Sequence, residues 1–340
     1  MRRFLARLFI LAVVLAIAAA GALFWWLHQP LALPSPAVDL SIEPGTTPRG
    51  VARAVAAAGV RVDPRLLYAW FRFSGQDRLI KAGSYELETG ITPHRLLAKL
   101  VRGDEAQRAV TLVEGWNWRQ VREALAKAEQ LRADTQGLDD AQLMERLGRP
   151  GVAPEGRFFP DTYTYSKGST DVALLQRALR AMDRHLDAAW ALRAADTPLK
   201  SPEQLLTLAS IVEKETGRAA DRAKVAAVFI NRLRINMPLQ TDPTVIYGMG
   251  AAFDGNLRKK DLLADTPWNT YTRAGLPPTP IAMPGKAALL AAAQPDRTDA
   301  LYFVSRGDGS SHFSPTLDDH NRAVNQYQRG VAPPAAAVAR

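Results

Sequence analysis

The amino-acid sequence predicts an α+β protein with one transmembrane helix at its N-terminus. An uncharged, apolar run over residues 8–27 is long enough to cross a bilayer as a helix. Short strand patterns and short helical patterns then alternate over residues 39–106. Residues 107–330 contain amphipathic helical patterns interrupted by a few short strands. Such a mixture is typical of α+β domains, one small and one larger.

The N-terminal segment, residues 1–28, is predicted to be a cytoplasmic tip followed by a membrane anchor. Three arginines precede the apolar run, and Phe24, Trp25 and Trp26 close it, where an aromatic belt belongs. The positive-inside rule places the N-terminus in the cytoplasm and the rest of the chain outside. A cleaved signal peptide is the alternative, because residues 18–22 resemble a cleavage region. The length of the apolar run favours an uncleaved anchor.

Residues 29–38 contain three prolines and no charge, which predicts a short, stiff tether. The small α+β module follows at residues 39–106. Its predicted strands are 39–42 and 81–87, and its predicted helices are 48–58, 64–74 and 92–101.

The larger domain is predicted to span residues 107–330. Its predicted strands are 109–114 and 301–305, and its predicted helices are 116–129, 171–193, 202–216, 222–236, 286–293 and 318–329. Residues 133–153 are polar and punctuated by glycine and proline. Residues 238–250 and 267–280 are predicted to be ordered loops that carry binding groups. The aromatic residues at 156–165 favour a strand packed on a core over rings exposed to sugars. A disordered tail is predicted at 331–340.

The helix predicted at 202–216 has both of its ends marked in the sequence. Ser201 is a good N-cap, Pro202 suits the first helical position, and Gln204 stands where a capping box needs Glu or Gln. Gly217 is a natural stop after the last turn. Apolar residues recur on one face, so the helix is expected to be mostly buried, with Thr207, Ser210 and Lys214 on the opposite side.

Two carboxylates, Glu213 and Glu215, border the apolar stripe at the C-terminal end of this helix. The negative end of the helix dipole and partial burial both raise the pKa of a carboxyl group. A Glu that stays protonated near neutral pH can act as a general acid. The alternative is that both residues lie at the rim of the helix, solvated or paired with Arg218 or Arg222. The helical geometry alone does not choose between the two carboxylates.

The composition excludes several kinds of chemistry. The chain has no cysteine, which excludes disulfides, thiolate zinc sites and thiol nucleophiles. It has no P-loop, no G-x-G-x-x-G and no G-x-S-x-G motif, and its five histidines are scattered. We therefore expect no metal and no cofactor. The formal charge of +9 contains no basic run, so we expect no nucleic-acid partner. Glycoside cleavage needs little beyond carboxylates and is the favoured reaction class.

Several long segments resemble the endolytic murein transglycosylases, the YceG-like (MltG) family. The resemblance covers nearly the whole chain. Its segments are Ala-Ser-Ile-Val-Glu-Lys-Glu-Thr at 209–216, Val-Phe-Ile-Asn-Arg-Leu-Arg at 228–234, Leu-Gln-Thr-Asp-Pro-Thr-Val-Ile-Tyr-Gly-Met-Gly at 239–250, Asn-Thr-Tyr at 269–271 and Gly-Leu-Pro-Pro at 275–278, with shorter ones at 81–85, 113–115 and 156–162. Arg157 and Phe159 depart from the family, which often has Trp at these positions.

The resemblance implies a single-pass inner-membrane protein with a periplasmic LysM-like module and a periplasmic catalytic domain. It implies that peptidoglycan glycan strands are cut between N-acetylmuramic acid and N-acetylglucosamine, leaving a 1,6-anhydro end, with Glu215 as general acid and base. Cell-wall synthases are implied as further partners. The residues implied to contact substrate in the cleft are Asn231, Gln240, Asp242, Tyr247, Asn269 and Tyr271.

Two other functions remain open from the sequence. A lysozyme-type hydrolase would need a second carboxylate about 5–9 Å from Glu215, and Asp242 is the candidate. A non-catalytic scaffold that binds the wall and recruits synthases would tolerate the loss of Glu215.

Overall fold

A computed structural model describes residues 2–330, and over this range it confirms the α+β class. The predicted tail, residues 331–340, lies outside the described residues. The helices are α1 Arg2–His28, α2 Pro48–Ala57, α3 Pro64–Phe73, α4 Pro93–Arg102, α5 Trp118–Lys127, α6 Asp140–Arg146, α7 Asp171–Ala191, α8 Pro202–Glu215, α9 Ala219–Arg234, α10 Asp242–Met249, α11 Lys259–Leu263, α12 Lys286–Ala293 and α13 Leu317–Gln328. The strands are β1 Ala37–Ile42, β2 Gly83–Glu88, β3 Gln107–Thr111, β4 Thr162–Ser166, β5 Tyr302–Ser305 and β6 Ser311–Ser314. In the described part of the chain they pair as β1–β2, β3–β4 and β5–β6.

The chain divides into two compact units. Of the described residues, unit 1 contains those up to Arg108 together with Thr164–Ser169, and unit 2 contains Ala109–Tyr163 and those from Thr170 to Gly330. The sequence predicts that residues 164–169 belong to the larger domain, whereas their contacts group them with unit 1.

Unit 1 has a core between its two-stranded sheet and its short helices. β1 runs antiparallel to β2, with Val38 opposite Leu87 and Leu40 opposite Tyr85. Burial alternates along β1, so one face of the sheet covers the core and the other faces solvent. The helices α2, α3 and α4 bury their apolar faces on this core, where the Phe71 side chain is fully buried.

The N-terminal helix is apolar and exposed over most of its length. Residues Arg7–His28 are long and apolar enough to cross a membrane. Trp26 packs against the core of unit 1, and Leu27 is buried. The segment 29–38, predicted as a tether, also packs on unit 1: Leu31 is buried and its N–H donates to the Ile91 carbonyl at 2.8 Å. The prolines restrict the backbone of this segment, but Leu31 and Leu33 bury apolar surface on the core of unit 1, so the segment is attached to the unit.

Unit 2 is built around α8, which packs against α7, α9, α10 and α12. The largest apolar cluster of the unit comes from these helices, and β5 and β6 contribute Phe303 and Phe313 to its edge. The rings of Phe229 and Phe303 meet edge to face at 6.1 Å. α12 has the predicted bounds, and α9 and α13 lie within a few residues of theirs.

The segment 238–250 is not the loop that the sequence analysis predicts, because α10 occupies Asp242–Met249. Pro243 stands in the first turn of α10, where its missing N–H has no helical partner to lose. The glycines in this segment favour a loop prediction. Gly248 nevertheless lies inside the helix, where a Cβ would come within 2.8 Å of Thr266 Oγ1. The other predicted loop, 267–280, contains no helix or strand in the described chain.

Three short elements are absent from the sequence prediction. They are α6, α11 and β6. α6 lies in the polar stretch 133–153 and begins with a capping box between Asp139 and Gln142. β6 has a polar sequence, and its strand conformation follows from pairing with β5. β6 therefore depends on its tertiary partner, whereas α6 has a local start signal but is too short for a helical period to show in the sequence.

The aromatic segment at 156–165 is packed inside the protein, as predicted. Phe158, Phe159 and Tyr163 are buried, and β4 begins at Thr162. The Phe158 ring lies 5.0 Å from the Trp118 ring. These rings are therefore part of the core.

Candidate functional site

Helix α8 carries the candidate acid and is buried on all sides through its middle. Residues 205–212 are all buried. Thr207 and Ser210, expected on a polar side, are buried as well, because α8 is surrounded by four other helices. Ser210 Oγ donates to the Thr207 carbonyl at 2.7 Å and accepts from the Ile281 N–H at 3.0 Å. The Thr207 hydroxyl donates to the Glu203 carbonyl at 2.9 Å, so both hydroxyls are satisfied within the core.

The ends of α8 differ in detail from the prediction. Ser201 caps the helix by accepting from the Gln204 N–H at 3.3 Å. The Gln204 side chain accepts from Lys200 N–H at 2.8 Å instead of from Ser201, so the capping box is incomplete. α8 ends at Glu215, and Gly217 is not in the left-handed conformation expected for a glycine stop.

The two carboxylates at the end of α8 face different surroundings. Glu213 Oε2 accepts from the Gly285 N–H at 2.9 Å. Glu215 Oε1 accepts from the Thr241 hydroxyl. In the described residues the hydrogen bonds of the two carboxylates come from Gly285 and Thr241, not from Arg218 or Arg222. The positive charge of Arg222 nevertheless lowers the pKa of Glu213, so an electrostatic interaction between these two residues remains.

Glu215 lines a cavity of about 650 Å³, which we call the Glu215 cavity. Three of the predicted substrate-binding residues line the same cavity: Gln240, Asp242 and Tyr271. The Tyr271 hydroxyl donates to Asp242 Oδ1 at 2.6 Å. The other lining residues are Arg232, Leu239, Tyr302, Phe303, Val304, Ser305, Leu317, His320, Val324 and Gln328. Glu213 is not among them. The position of the cavity therefore distinguishes Glu215 from Glu213, which the helical pattern of the sequence does not.

Burial raises the pKa of Glu215, and the negative charge of Asp242 raises it further. The hydrogen bond from Thr241 and the positive charge of Arg232 oppose this rise, but the pKa remains above its ordinary value. Burial also raises the pKa of Glu213, against the N–H of Gly285. The raised pKa is therefore consistent with either residue acting as an acid. Only Glu215 also lines the Glu215 cavity.

A network of threonines holds the segment that carries Thr241. The Thr241 N–H donates to Thr270 Oγ1 at 3.1 Å, and Thr270 Oγ1 lies 2.8 Å from Thr244 Oγ1. All three threonines are buried. Gln240 beside them has a left-handed backbone with φ of 49°, held by its N–H on the Thr270 carbonyl at 3.0 Å. None of these threonines is among the predicted site residues, because a lone Thr carries no specific sequence signal.

Arg232 is a buried cation that joins α9 to two other segments. Its side chain is 7% exposed. Nε donates to the Leu301 carbonyl and Nη1 to the Leu239 carbonyl, each at 2.7 Å. Arg232 lies seven residues after Val225, which places both on the same helical face. That spacing is the sequence signal that could have identified Arg232 as buried.

Both asparagines among the predicted cleft residues lie outside the lining of the Glu215 cavity. The Asn231 amide donates to the carbonyls of Thr298 and Ala300 at 2.8 and 3.0 Å. The Asn269 amide is fully buried and accepts from the Tyr271 N–H at 2.8 Å. Asn269 thereby fixes the backbone of Tyr271, and a direct contact of either asparagine with substrate stays a prediction.

The remaining predicted residue, Tyr247, lines a second cavity together with Glu155. Glu155 is only 5% exposed, and both its oxygens accept from the Trp118 N–H at 3.1 Å. Burial raises the pKa of Glu155 to about 7, although these hydrogen bonds oppose the rise. Sequence reasoning does not find Glu155, since nothing in Pro-Glu-Gly marks it as buried.

The raised pKa of Glu155 predicts that unit 2 loses stability as the pH rises. The folded protein keeps this proton up to about pH 7, whereas the unfolded chain loses it around the ordinary value of 4.5. The stabilisation is complete below pH 4.5 and is lost as the pH rises through about 7, by up to about 1.4 kcal/mol per pH unit. The free energy of unfolding can be measured by urea titration at several pH values between about pH 5 and pH 8. It should fall less steeply with pH in Glu155→Gln than in the wild type. The exposed control Glu145→Gln should keep the wild-type slope; an unchanged slope in Glu155→Gln contradicts the assignment.

Comparison with known proteins gives consistent matches along most of the chain. A model of the YceG-like family matches residues 40–326. The chain is 32% identical over 309 residues to a protein named endolytic murein transglycosylase from Bacillus subtilis (strain 168), covering 85% of this chain and 84% of that protein. It is 27% identical over 325 residues to a protein of the same name from Streptococcus pneumoniae, covering 85% of this chain and 58% of the other.

A solved structure supports the same relationship. The crystal structure of a yceG-like protein from Listeria monocytogenes matches with a TM-score of 0.53 and 26% identity, covering 84% of this chain and 98% of that one. Because the family model spans most of the chain and the Bacillus protein is similar over nearly its full length, the chain belongs to the YceG-like family.

Proposed function

We propose that the protein is an endolytic lytic transglycosylase that cleaves peptidoglycan glycan strands, with Glu215 as its general acid and base. The observation that carries the proposal is a partly buried carboxyl group with a raised pKa in a polar cavity. The relatives named endolytic murein transglycosylase supply the reaction class. The bond proposed to break joins C1 of N-acetylmuramic acid to O4 of N-acetylglucosamine.

In the first step, protonated Glu215 donates its proton to the glycosidic oxygen, and the N-acetylglucosamine leaves as an alcohol. Thr241 donates to Oε1, which leaves Oε2 to carry the acidic proton. The raised pKa keeps this proton in place at higher pH than an ordinary Glu would.

In the second step, the Glu215 carboxylate takes the proton of the muramyl 6-hydroxyl while the oxygen of that hydroxyl attacks C1. The attack closes a 1,6-anhydro ring and restores the protonated acid, so no water is consumed. Because the hydroxyl belongs to the reacting sugar, the step avoids the entropy cost of positioning a second molecule.

Asp242 has two proposed effects in the Glu215 cavity. Its negative charge raises the pKa of Glu215 and also offsets positive charge that develops at C1 in the transition state. The Tyr271 hydroxyl holds Asp242 in place. Gln240 and Tyr271 are proposed to contact the sugars directly.

A hydrolase of lysozyme type is the second candidate, because Asp242 lines the same cavity as Glu215 and could position a water. Mass analysis of the fragments released from an uncrosslinked glycan polymer separates the two. We expect 1,6-anhydro ends, lighter by one water than hydrolytic ends. Fragments with an added water would reject the lytic mechanism and make Asp242→Asn the next variant. Intact polymer that remains bound to the wild type would instead indicate a non-catalytic scaffold.

We also propose that α1 anchors the protein in the inner membrane and that everything after it is periplasmic. The apolar span Arg7–His28 supports an anchor, and the arginines before it support this orientation. Residues 39–106 are proposed to be a LysM-like module, and the β1–α2–α3–β2 order of unit 1 supports this. A reporter fused after residue 340 should be active only in the periplasm and should sediment with membranes. Recovery of the fusion as a soluble periplasmic protein would identify the helix as a cleaved signal.

A further inference from the structure

The cavity that contains Glu155, which we call the Glu155 cavity, has a volume of about 680 Å³. Residues that are consecutive in the sequence line this cavity and the Glu215 cavity. Lys214 lines the Glu155 cavity and the next residue, Glu215, lines the other; Pro243 and Asp242 divide in the same way. The end of α8 and the start of α10 therefore form the wall between two neighbouring cavities.

The Glu155 cavity has aromatic and apolar surfaces fixed in position. The rings of Tyr247 and Trp268 meet edge to face with centroids 5.5 Å apart. Trp268 Nε1 donates to Thr279 Oγ1 at 2.9 Å, which fixes the indole. Ile246 and Phe253 add apolar surface to the same lining. Aromatic walls of this kind can stack on the apolar faces of a sugar ring.

Hydrogen-bonding groups surround these rings. Asn117 and Gln120 form a capping box at the start of α5. In it, each side-chain carbonyl oxygen accepts from the backbone N–H of the other residue at 3.0 Å. Their amide N–H groups lie outside the box and supply donors. The Glu155 carboxyl lines the cavity as well, and the Lys214 ammonium, 3.2 Å from the Gly115 carbonyl, supplies a cation at the rim. An N-acetylhexosamine has the matching chemistry, with apolar ring faces edged by hydroxyls and an acetamide.

We propose that the Glu155 cavity is a saccharide subsite that binds an N-acetylhexosamine unit of the same glycan strand that is cut at Glu215. The proposal rests on the proposed function. A strand that occupies both cavities passes Lys214 and Pro243. Because binding in the Glu155 cavity requires sugars beyond the cleaved bond, the arrangement favours cuts inside a strand over removal of terminal units.

The test measures binding without cleavage. Full-length Glu215→Gln protein in detergent is titrated by calorimetry with peptide-free glycan fragments of increasing length. Affinity should rise by about tenfold at the length that first reaches the Glu155 cavity, as expected for one stacked sugar. Adding Phe253→Ala should remove this rise, and Ile246→Gln gives a second variant if the first unfolds. Leu192→Ala, at an exposed position outside both cavities, is the matched control.

Each outcome decides the matter. A rise that Phe253→Ala and Ile246→Gln leave intact, or no rise at all, overturns the subsite. A rise that depends on these residues supports it, even if the wild type cleaves no glycan, in which case only the proposed cleavage fails. Arg119 also lines the Glu155 cavity and offers a cation to a peptide carboxylate. If only strands carrying peptides gain affinity, and Arg119→Ala abolishes that gain, the cavity binds stem peptide and the saccharide assignment is rejected.

Discussion

Replacing Glu215 with glutamine should lower the rate of glycan cleavage by about 10²–10⁴-fold and leave the fold intact. The amide cannot donate an acidic proton to the glycosidic oxygen, and it cannot accept one from the muramyl 6-hydroxyl. Its carbonyl oxygen can still accept from Thr241, so the side chain should keep its position. The measurement is the rate of fragment release from uncrosslinked glycan, with thermal unfolding as the check on folding.

Glu213→Gln is the matched control, because Glu213 stands two residues away on the same helix and also has a raised pKa. The glutamine oxygen can keep the hydrogen bond from Gly285 N–H, and the side chain lies outside the Glu215 cavity. We expect activity within a few-fold of the wild type. Loss of activity in Glu213→Gln together with its retention in Glu215→Gln would assign the acid to Glu213.

Replacing Arg232 with methionine should destabilise unit 2 by several kcal/mol. The substitution leaves the buried Leu239 carbonyl and the partly buried Leu301 carbonyl without their donor, at a cost of up to about 1–3 kcal/mol each. The segment before Asp242 then loses its attachment to α9, so activity should fall even below the unfolding temperature. Denaturant unfolding and cleavage rates measure the two effects separately.

Arg234→Met is the control for this prediction. Arg234 lies on the same helix, and its ion pair with Asp196 at 2.7 Å is largely exposed. Exposed pairs contribute at most about 1 kcal/mol, so the stability should change little. Equal losses in the two variants would show that the buried contacts of Arg232 are not what stabilises the segment.

The sequence predicts most helices of unit 2, because their ends and faces are encoded locally. Helix α8 illustrates this: Ser201 and Pro202 mark its start, and its apolar period marks it as buried. The candidate acid needs more than periodicity. The helical pattern identifies Glu213 and Glu215 together, and the family resemblance alone favours Glu215.

The rest of the site depends on contacts between segments distant in sequence. Thr241 meets Glu215 across 26 residues, and Glu155 meets Trp118 across 37 residues. Local patterns carry no information about such pairs. α10 escapes prediction for a related reason: Gly248 argues against a helix by propensity, but close packing against Thr266 requires a residue without a side chain.

The left-handed backbone of Gln240 has a consequence for how this enzyme can be improved. A non-glycine residue in that conformation costs roughly 1–2 kcal/mol, and glycine would recover the part that exceeds its own loss of backbone entropy. Glycine would also delete the amide that Gln240 contributes to the Glu215 cavity. A selection for heat resistance should therefore enrich glycine at position 240, whereas a selection for cell-wall turnover should retain glutamine. At position 240, selection for thermal stability and selection for activity therefore favour different residues.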